Sequence, residues 1–221
     1  MTSGSSARPP RGVPISDDWR TISEELLQGL VHALNNRVAA LSAFVELARF
    51  GDEEGDPLTV LPQEIAQLHQ VNGLFALLPE RRSDPEALEL RVVLDDAIRL
   101  HEHHPALRGE RVAVAYEGAP GAVRAPRWAL VRAMVMLVHI AKRTREATPG
   151  GGDAALRVRG EHASVEVHVL TPMEPSTDLV ALAERCSGEI AREHDELVLR
   201  LPSLRELRRR EREERGEPPT T

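Results

Sequence analysis

Residues 27–45, LQGLVHALNNRVAALSAFV, set apolar side chains at Leu27, Val31, Leu34, Val38, Leu41 and Val45, and Ala48 continues the series. The spacings alternate between four and three, which is a heptad-like seam along one face of a helix. Asp17 and Asp18 stand where an N-cap and a negative first turn belong, and Gly51 marks the end. GDEEGDP, residues 51–57, reads as a turn. A second seam follows at Leu61, Ile65, Leu68, Val71, Phe75 and Leu78 and stops at Pro79. Two amphipathic helices joined by a short loop make an antiparallel hairpin. Facing seams leave apolar surface uncovered on both helices, and a homodimeric four-helix bundle is the simplest cover. Periodicity by itself is fully accounted for by a bundle without chemistry.

Working outward, the pattern changes after Ser83–Asp84–Pro85. Leu88–Val93 reads either as a short strand or as the start of a helix running to about His104. Arg111–Tyr116 alternates apolar and polar residues as a strand does. Pro126 to Glu146 is helical and apolar almost all round (WALVRAMVMLVHIA), which predicts burial. TPGGGD, residues 148–153, is a turn. Ala155–Arg159 and Ser164–Leu170 alternate as a β-hairpin, Leu179 to Glu193 reads as a helix, and Glu196–Leu201 as a final strand. The fold class is therefore α+β: a helical hairpin, then a mixed layer of strands and helices. The organisation is a lead-in over 1–16 rich in Gly, Ser, Pro and Arg, a hairpin over 17–82, an α+β domain over 83–202 and a charged tail over 203–221. The lead-in reads as disordered. The tail carries six Arg against five Glu, so it reads as a solvated, partly helical end laced by i,i+4 pairs.

Composition bounds the function. Hydrophobic residues are 41% and charged residues 29%, the balance of a soluble globular protein. No apolar run reaches the length of a membrane span, and the first residues, MTSGSSARPPRGVP, lack the apolar core of a secretory signal. Cys186 is the only cysteine, which excludes an internal disulfide or a cysteine-based zinc site. A cytoplasmic protein is the expectation. A net charge of −7 and 3% aromatic residues argue against a nucleic-acid partner. Lys142 is the only lysine, which reads as the codon bias of a GC-rich genome.

The residue that could carry chemistry is His32. It follows the seam residue Val31, so it lies at the edge of the helix face within reach of solvent. Asn36, four residues on, shares its face, and Asn35 nearly does. Adjacent asparagines are unfavourable inside a helix because their side chains compete for backbone hydrogen bonds. His-x-x-Asn-Asn in the strongest helix is therefore a local conflict of the kind found at functional sites. A neutral imidazole nitrogen is a competent nucleophile toward phosphorus. Other candidates have plainer readings. His101, His103 and His104 (HEHH) read as a solvated helix end before Pro105 rather than a metal site, His139 as a satisfied core histidine, and Cys186 as a small buried hydrophobe. Gly150–Gly152 follows a helix and opens a strand, the reverse of a phosphate-binding loop.

His32-Ala33-Leu34-Asn35-Asn36-Arg37-Val38, with its helix–turn–helix, resembles the H-box hairpin of two-component sensor histidine kinases. That resemblance implies a homodimeric four-helix bundle with a phospho-accepting histidine exposed on its first helix. Residues 88–201 then run in the order of that family's ATP-binding domain, a degenerate ATPase-like α/β sandwich. The departures are specific. Ile140 stands where the resemblance asks for the asparagine that holds Mg²⁺, and Met136 at a second such position. Neither offers the oxygen donor that Mg²⁺ wants. Val169-Leu170-Thr171-Pro172-Met173 replaces the Asp-x-Gly-x-Gly turn, and the glycine-rich lid is missing. Ala33 replaces the acidic residue beside the histidine, and loss of a general base costs ~10²–10⁴-fold. Arg37 stands where the family often has a kinking proline.

What the resemblance implies, with these departures, is a phosphotransfer protein rather than an ATP-dependent kinase. His32 would exchange phosphoryl groups with response-regulator receiver aspartates, and Asn36 would hydrogen-bond the phosphoryl group. The chain would bind no cofactor, Mg²⁺ being held by the partner receiver domain, and Leu27, Val31, Leu34 and Val38 would build the bundle core. Partners would be receiver domains, a second copy of the chain and a histidine kinase, with no nucleic acid and no membrane. Two alternatives stay open: a response-regulator phosphatase using Asn36, and a non-catalytic pseudokinase scaffold.

Overall fold

A computed structural model describes residues 18–50, 60–80, 83–147 and 154–215. The lead-in over 1–16 and the turns read at 51–57 and 148–153 lie outside the described residues. The first helix, α1 (Trp19–Phe50), spans 32 residues. Asp18 is its N-cap: Oδ1 accepts from the Thr21 backbone N–H at 2.8 Å. The second, α2 (Leu61–Phe75), has Pro62 in its first turn, where the missing N–H costs nothing. Arg37, at the position expected to lose a kink, sits inside an uninterrupted α1 and pairs with Glu64 of α2 at 3.2 Å.

The rest is an α+β layer. Elements β1 (Glu86–Glu89), α3 (Leu90–His101), β2 (Val112–Glu117), β3 (Ala122–Ala125), α4 (Arg127–Ala147), β4 (Ala154–Gly160), β5 (Ser164–Leu170), α5 (Thr177–Arg185), β6 (Glu189–Glu193), β7 (Glu196–Pro202) and α6 (Leu204–Glu214) follow in chain order. Strands β1 and β3 form an antiparallel pair, and the main sheet runs β2-β4-β5-β7-β6. Only β2–β4 is parallel, and α4 is its crossover. Alternation in β5 sends Val165, Val167 and Val169 to the core. Glu166 and His168 face the other side of the sheet, in an ion-pair network with Arg157, Glu196 and Arg200. Helix α4 is buried from Ala129 to Lys142 apart from Arg132, as its all-round hydrophobicity predicts. Among the described residues no helix is long and apolar enough to cross a membrane.

One sequence expectation changes, and two others hold. The helix expected over 179–193 ends at Arg185. Ser187 then takes φ 57°, and a Cβ at Gly188 would collide with the Arg200 carbonyl. The chain turns there, and Glu189–Glu193 becomes the edge strand β6. The strand alternative at Leu88 and the helix alternative both hold in part, because β1 hands over to α3 at Leu90. The tail does form a helix: Ser203 caps α6 by accepting from the Glu206 N–H at 3.1 Å, and Glu206 is clamped by Arg209 and Arg210.

The hairpin shares one core with the layer. Ile22, Leu26 and Leu30 of α1 are fully buried, together with Val71 of α2 and the α3–α4 side chains. The Trp19 N–H donates to Asp178 Oδ2 of α5 at 2.9 Å. Arg132 of α4 lies over the Trp19 ring at 4.8 Å and donates to the Leu78 carbonyl at 2.9 Å. The predicted seam is accordingly split. Leu34 and Leu41 are half-buried, whereas Leu27, Val31, Val38 and Val45 are 42–49% exposed and form an uncovered stripe.

Candidate functional site

His32 lies in the middle of α1, and its side chain is exposed, as are those of Asn35 and Asn36. The Asn36 Nδ2 approaches His32 Nε2 at 3.3 Å. An amide N–H donates, so this contact suits the neutral tautomer with its lone pair on Nε2 and its proton on Nδ1. The i,i+4 spacing places the Asn36 amide beside the imidazole, on the shared helix face that the sequence indicates. The helix is held at this point by the Arg37–Glu64 bridge, next to Asn36. Ala33 is partly buried against the core and offers no carboxylate at the position next to the histidine.

The α4 and post-β5 positions that the resemblance singles out are buried. Met136 and Ile140 are buried in the core side of α4. Thr171, after β5, is buried as well; its N–H donates to the Asp195 carbonyl at 2.8 Å and its hydroxyl pairs with Thr144 Oγ1 at 3.0 Å. Residues 171–176 lead directly from β5 into α5, where the Ser176 hydroxyl caps the helix by accepting from the Leu179 N–H at 3.3 Å.

The HEHH segment is not a solvated helix end. His101 closes α3 and His104 follows in the next turn, and both are fully buried because α1 crosses over them. His139 of α4 joins them from the other side. The three ring centroids stand 5.0, 5.1 and 5.3 Å apart, a nearly equilateral triangle. His101 Nε2 faces His139 Nδ1 at 3.1 Å, and His104 Nε2 faces Glu25 Oε2 of α1 at 2.5 Å. Burial, with Lys142 and the other rings adding to it, pushes the His101 imidazole well below its ordinary pKa. His104 is also pushed down by burial, with Glu25 opposing in part. The sequence puts 101 and 104 at one helix end and carries no signal that residue 139 would meet them. Cys186 is buried as read, and its thiol is pushed up to about 12.

No family model and no curated protein matches the chain. Among solved structures it is similar to a bacterial phosphotransferase, at 15% identity over 86% of this chain and 100% of that one, TM-score 0.41. It is also similar to the cytoplasmic segment of the histidine kinase QseC (13%, 70% and 98%, TM-score 0.40). A third is the ATP-binding domain of PrrB from Mycobacterium tuberculosis (17%, 55% and 98%, TM-score 0.41). Likeness of architecture does not assign an activity, which has to be argued from this chain's own residues.

Proposed function

We propose that the chain is a histidine-containing phosphotransfer protein of two-component signalling, exchanging phosphoryl groups between His32 and receiver-domain aspartates. The observation that carries this reading is His32 itself: an exposed imidazole, midway along a docked helix, with the Asn36 amide 3.3 Å from its Nε2. In the forward step Nε2 attacks the phosphorus of a receiver aspartyl phosphate. The N–P bond forms as the acyl phosphate P–O bond breaks, and the aspartate leaves as carboxylate. The Nδ1 proton stays on the ring, so no base is required, which suits a site with Ala33 beside the histidine. Mg²⁺ and the acidic pocket come with the receiver domain. Asn36 turns its amide from Nε2 to a phosphoryl oxygen. The burial of Met136 and Ile140 among apolar neighbours supports a chain that takes its phosphoryl group from a protein donor instead of ATP.

The uncovered stripe of Leu27, Val31, Val38 and Val45 supports self-association through the hairpin. The α+β layer is then the surface on which the regulator docks. The decisive experiment incubates the protein with a panel of phosphorylated receiver domains and follows acid-labile label. Label on His32 that is abolished in His32→Ala is the expected result. Asn36→Ala should slow transfer by roughly 10–100-fold, the worth of one hydrogen bond to a charged group. The exposed Asn36 amide also fits a second reading, in which it orients a water against the receiver phosphate. In that case dephosphorylation of the receiver persists in His32→Ala and fails in Asn36→Ala. Loss of phosphate from no receiver, with no label on His32, would refute both.

A further inference from the structure

We propose that His101, His104 and His139 form a buried site for a divalent transition-metal ion, Zn²⁺ in the first instance, with Glu25 orienting His104 from helix α1. Each ring offers one nitrogen, and the three nitrogens lie within 4.8 Å of one another. His101 Nε2 and His139 Nδ1 are already 3.1 Å apart. Two imidazole nitrogens on a tetrahedral ion with Zn–N bonds of about 2.0–2.1 Å stand about 3.3 Å apart, so this pair has the separation of two ligands. The His104 ring completes the triangle, its centroid 5.0 Å from that of His101 and 5.1 Å from that of His139.

His104 shows which nitrogen it would use. Its Nε2 faces the Glu25 carboxylate, and its Nδ1 accepts a long 3.3 Å hydrogen bond from the Leu107 N–H that an arriving ion would have to displace. Carboxylate on one nitrogen and metal on the other is the arrangement by which proteins fix the tautomer and raise the basicity of a metal-bound histidine. As a purely structural cluster these rings are poorly served, because His101 Nδ1 is buried without a hydrogen-bond partner. The charged group facing the cluster is Lys142. It is buried and donates to the Leu107 carbonyl at 3.4 Å. Three imidazoles favour Zn²⁺, Co²⁺, Ni²⁺ or Cu²⁺ over the oxygen-seeking Mg²⁺ and Ca²⁺. The Glu25 side chain beside His104 is one-third exposed. Such an ion would clamp α1 to α3 and α4 at the joint where the hairpin meets the layer.

The test uses the full chain, stripped with a chelator and reloaded with Zn²⁺ or Co²⁺, desalted and measured for bound metal. One equivalent per chain, a four-coordinate Co²⁺ spectrum and a raised Tm are expected. His101→Gln and His139→Gln should weaken binding by more than about 100-fold, beyond what loss of an outer partner costs, and Glu25→Gln by about 10–100-fold. His69→Ala, on the exposed face of α2, should bind as the parent does. If a buried histidine variant does not fold, Glu25→Gln and the stoichiometry of the parent decide. No retained metal in the folded parent overturns the proposal, as does retention unchanged in Glu25→Gln and His101→Gln.

Discussion

Gly29→Ala separates the docked arrangement of α1 from an undocked one by the sign of a single measurement. On an exposed, free-standing helix this substitution stabilises by about 1 kcal/mol, because alanine loses less backbone entropy than glycine. Here α1 crosses the turn after α3 so closely that a Cβ on residue 29 would lie 2.8 Å from the His103 carbonyl carbon, with its oxygen nearer still. Both partners are backbone, so no side chain can swing aside. Reaching an ordinary C···O contact of about 3.3–3.6 Å parts the helices by more than ~1 Å. A gap of that size forfeits a quarter to a half of the dispersion energy across the contact. Ile22, Leu26 and Leu30 are fully buried in that contact. At roughly 1.5–3 kcal/mol each they contribute about 4.5–9 kcal/mol, so the loss is about 1–4 kcal/mol. Against the propensity gain, a net destabilisation of up to about 3 kcal/mol is expected. Urea unfolding of the full chain, followed by far-UV circular dichroism, measures it as a lowered midpoint at unchanged slope. A midpoint raised by the equivalent of about 1 kcal/mol would refute the close crossing. It would also remove the basis for bringing Glu25 to His104.

Stability should fall with acid. His101 and His104 sit below their ordinary pKa when folded, so the unfolded chain binds more protons. Their contribution is whole above the unfolded value near 6.5 and is lost as pH falls below it. Metal-free protein should therefore show a Tm that drops between pH 7.5 and 5.5, and His101→Gln should flatten that slope. Cys186 should stay unreactive toward thiol reagents at pH 8 until the chain unfolds, since burial holds its thiol up near 12; rapid labelling of native protein would contradict its placement. Val31→Glu or Val45→Glu should convert a sedimenting dimer into a monomer without loss of helicity, and an unchanged mass would exclude the exposed stripe as the contact. Ser203→Ala should cost about 1 kcal/mol through loss of the α6 cap, read as reduced helicity and a small fall in Tm.

Elements with a strong period were legible in the sequence, and those set by tertiary contact were not. Helix α4 and the β4–β5 hairpin follow from pattern because their own side chains decide which face is buried. Strand β6 did not follow. EIARE carries no clean alternation, and it becomes a strand by pairing with β7 after the turn at Ser187 and Gly188. The His32–Asn36 pair was readable because i,i+4 geometry is local. The histidine triangle was not readable, because its members come from α3, the following turn and α4, and their burial depends on α1 lying across them. One signal was present and carried more than it was given: Gly29, a glycine in the middle of the strongest helix, marks the close backbone approach that brings α1 onto His103. The only lysine was another. Read as compositional, Lys142 turns out to be buried beside two of the three histidines.

The division of labour around α1 makes the two proposals compatible. At about 100° per residue, Ile22, Leu26, Leu30 and Ala33 point one way and dock on the layer, and Arg37 and Phe44 continue that side toward α2. Leu27, Val31, Val38 and Val45 lie about 120° round and form the uncovered stripe. His32 lies about another 120° on, in line with Glu25 two turns below and beside Asn36. Covering the stripe with a second copy therefore leaves the imidazole open, and docking α1 on the layer does not hide it. Because Glu25 and His32 share one line of the same rigid helix, an ion that fixes Glu25 through His104 also fixes the tilt at which His32 is presented. Metal removal should then alter transfer to a receiver without changing the label's site. Transfer rates identical with and without metal, in protein shown to bind it, would separate the two sites and leave the clamp a matter of stability alone.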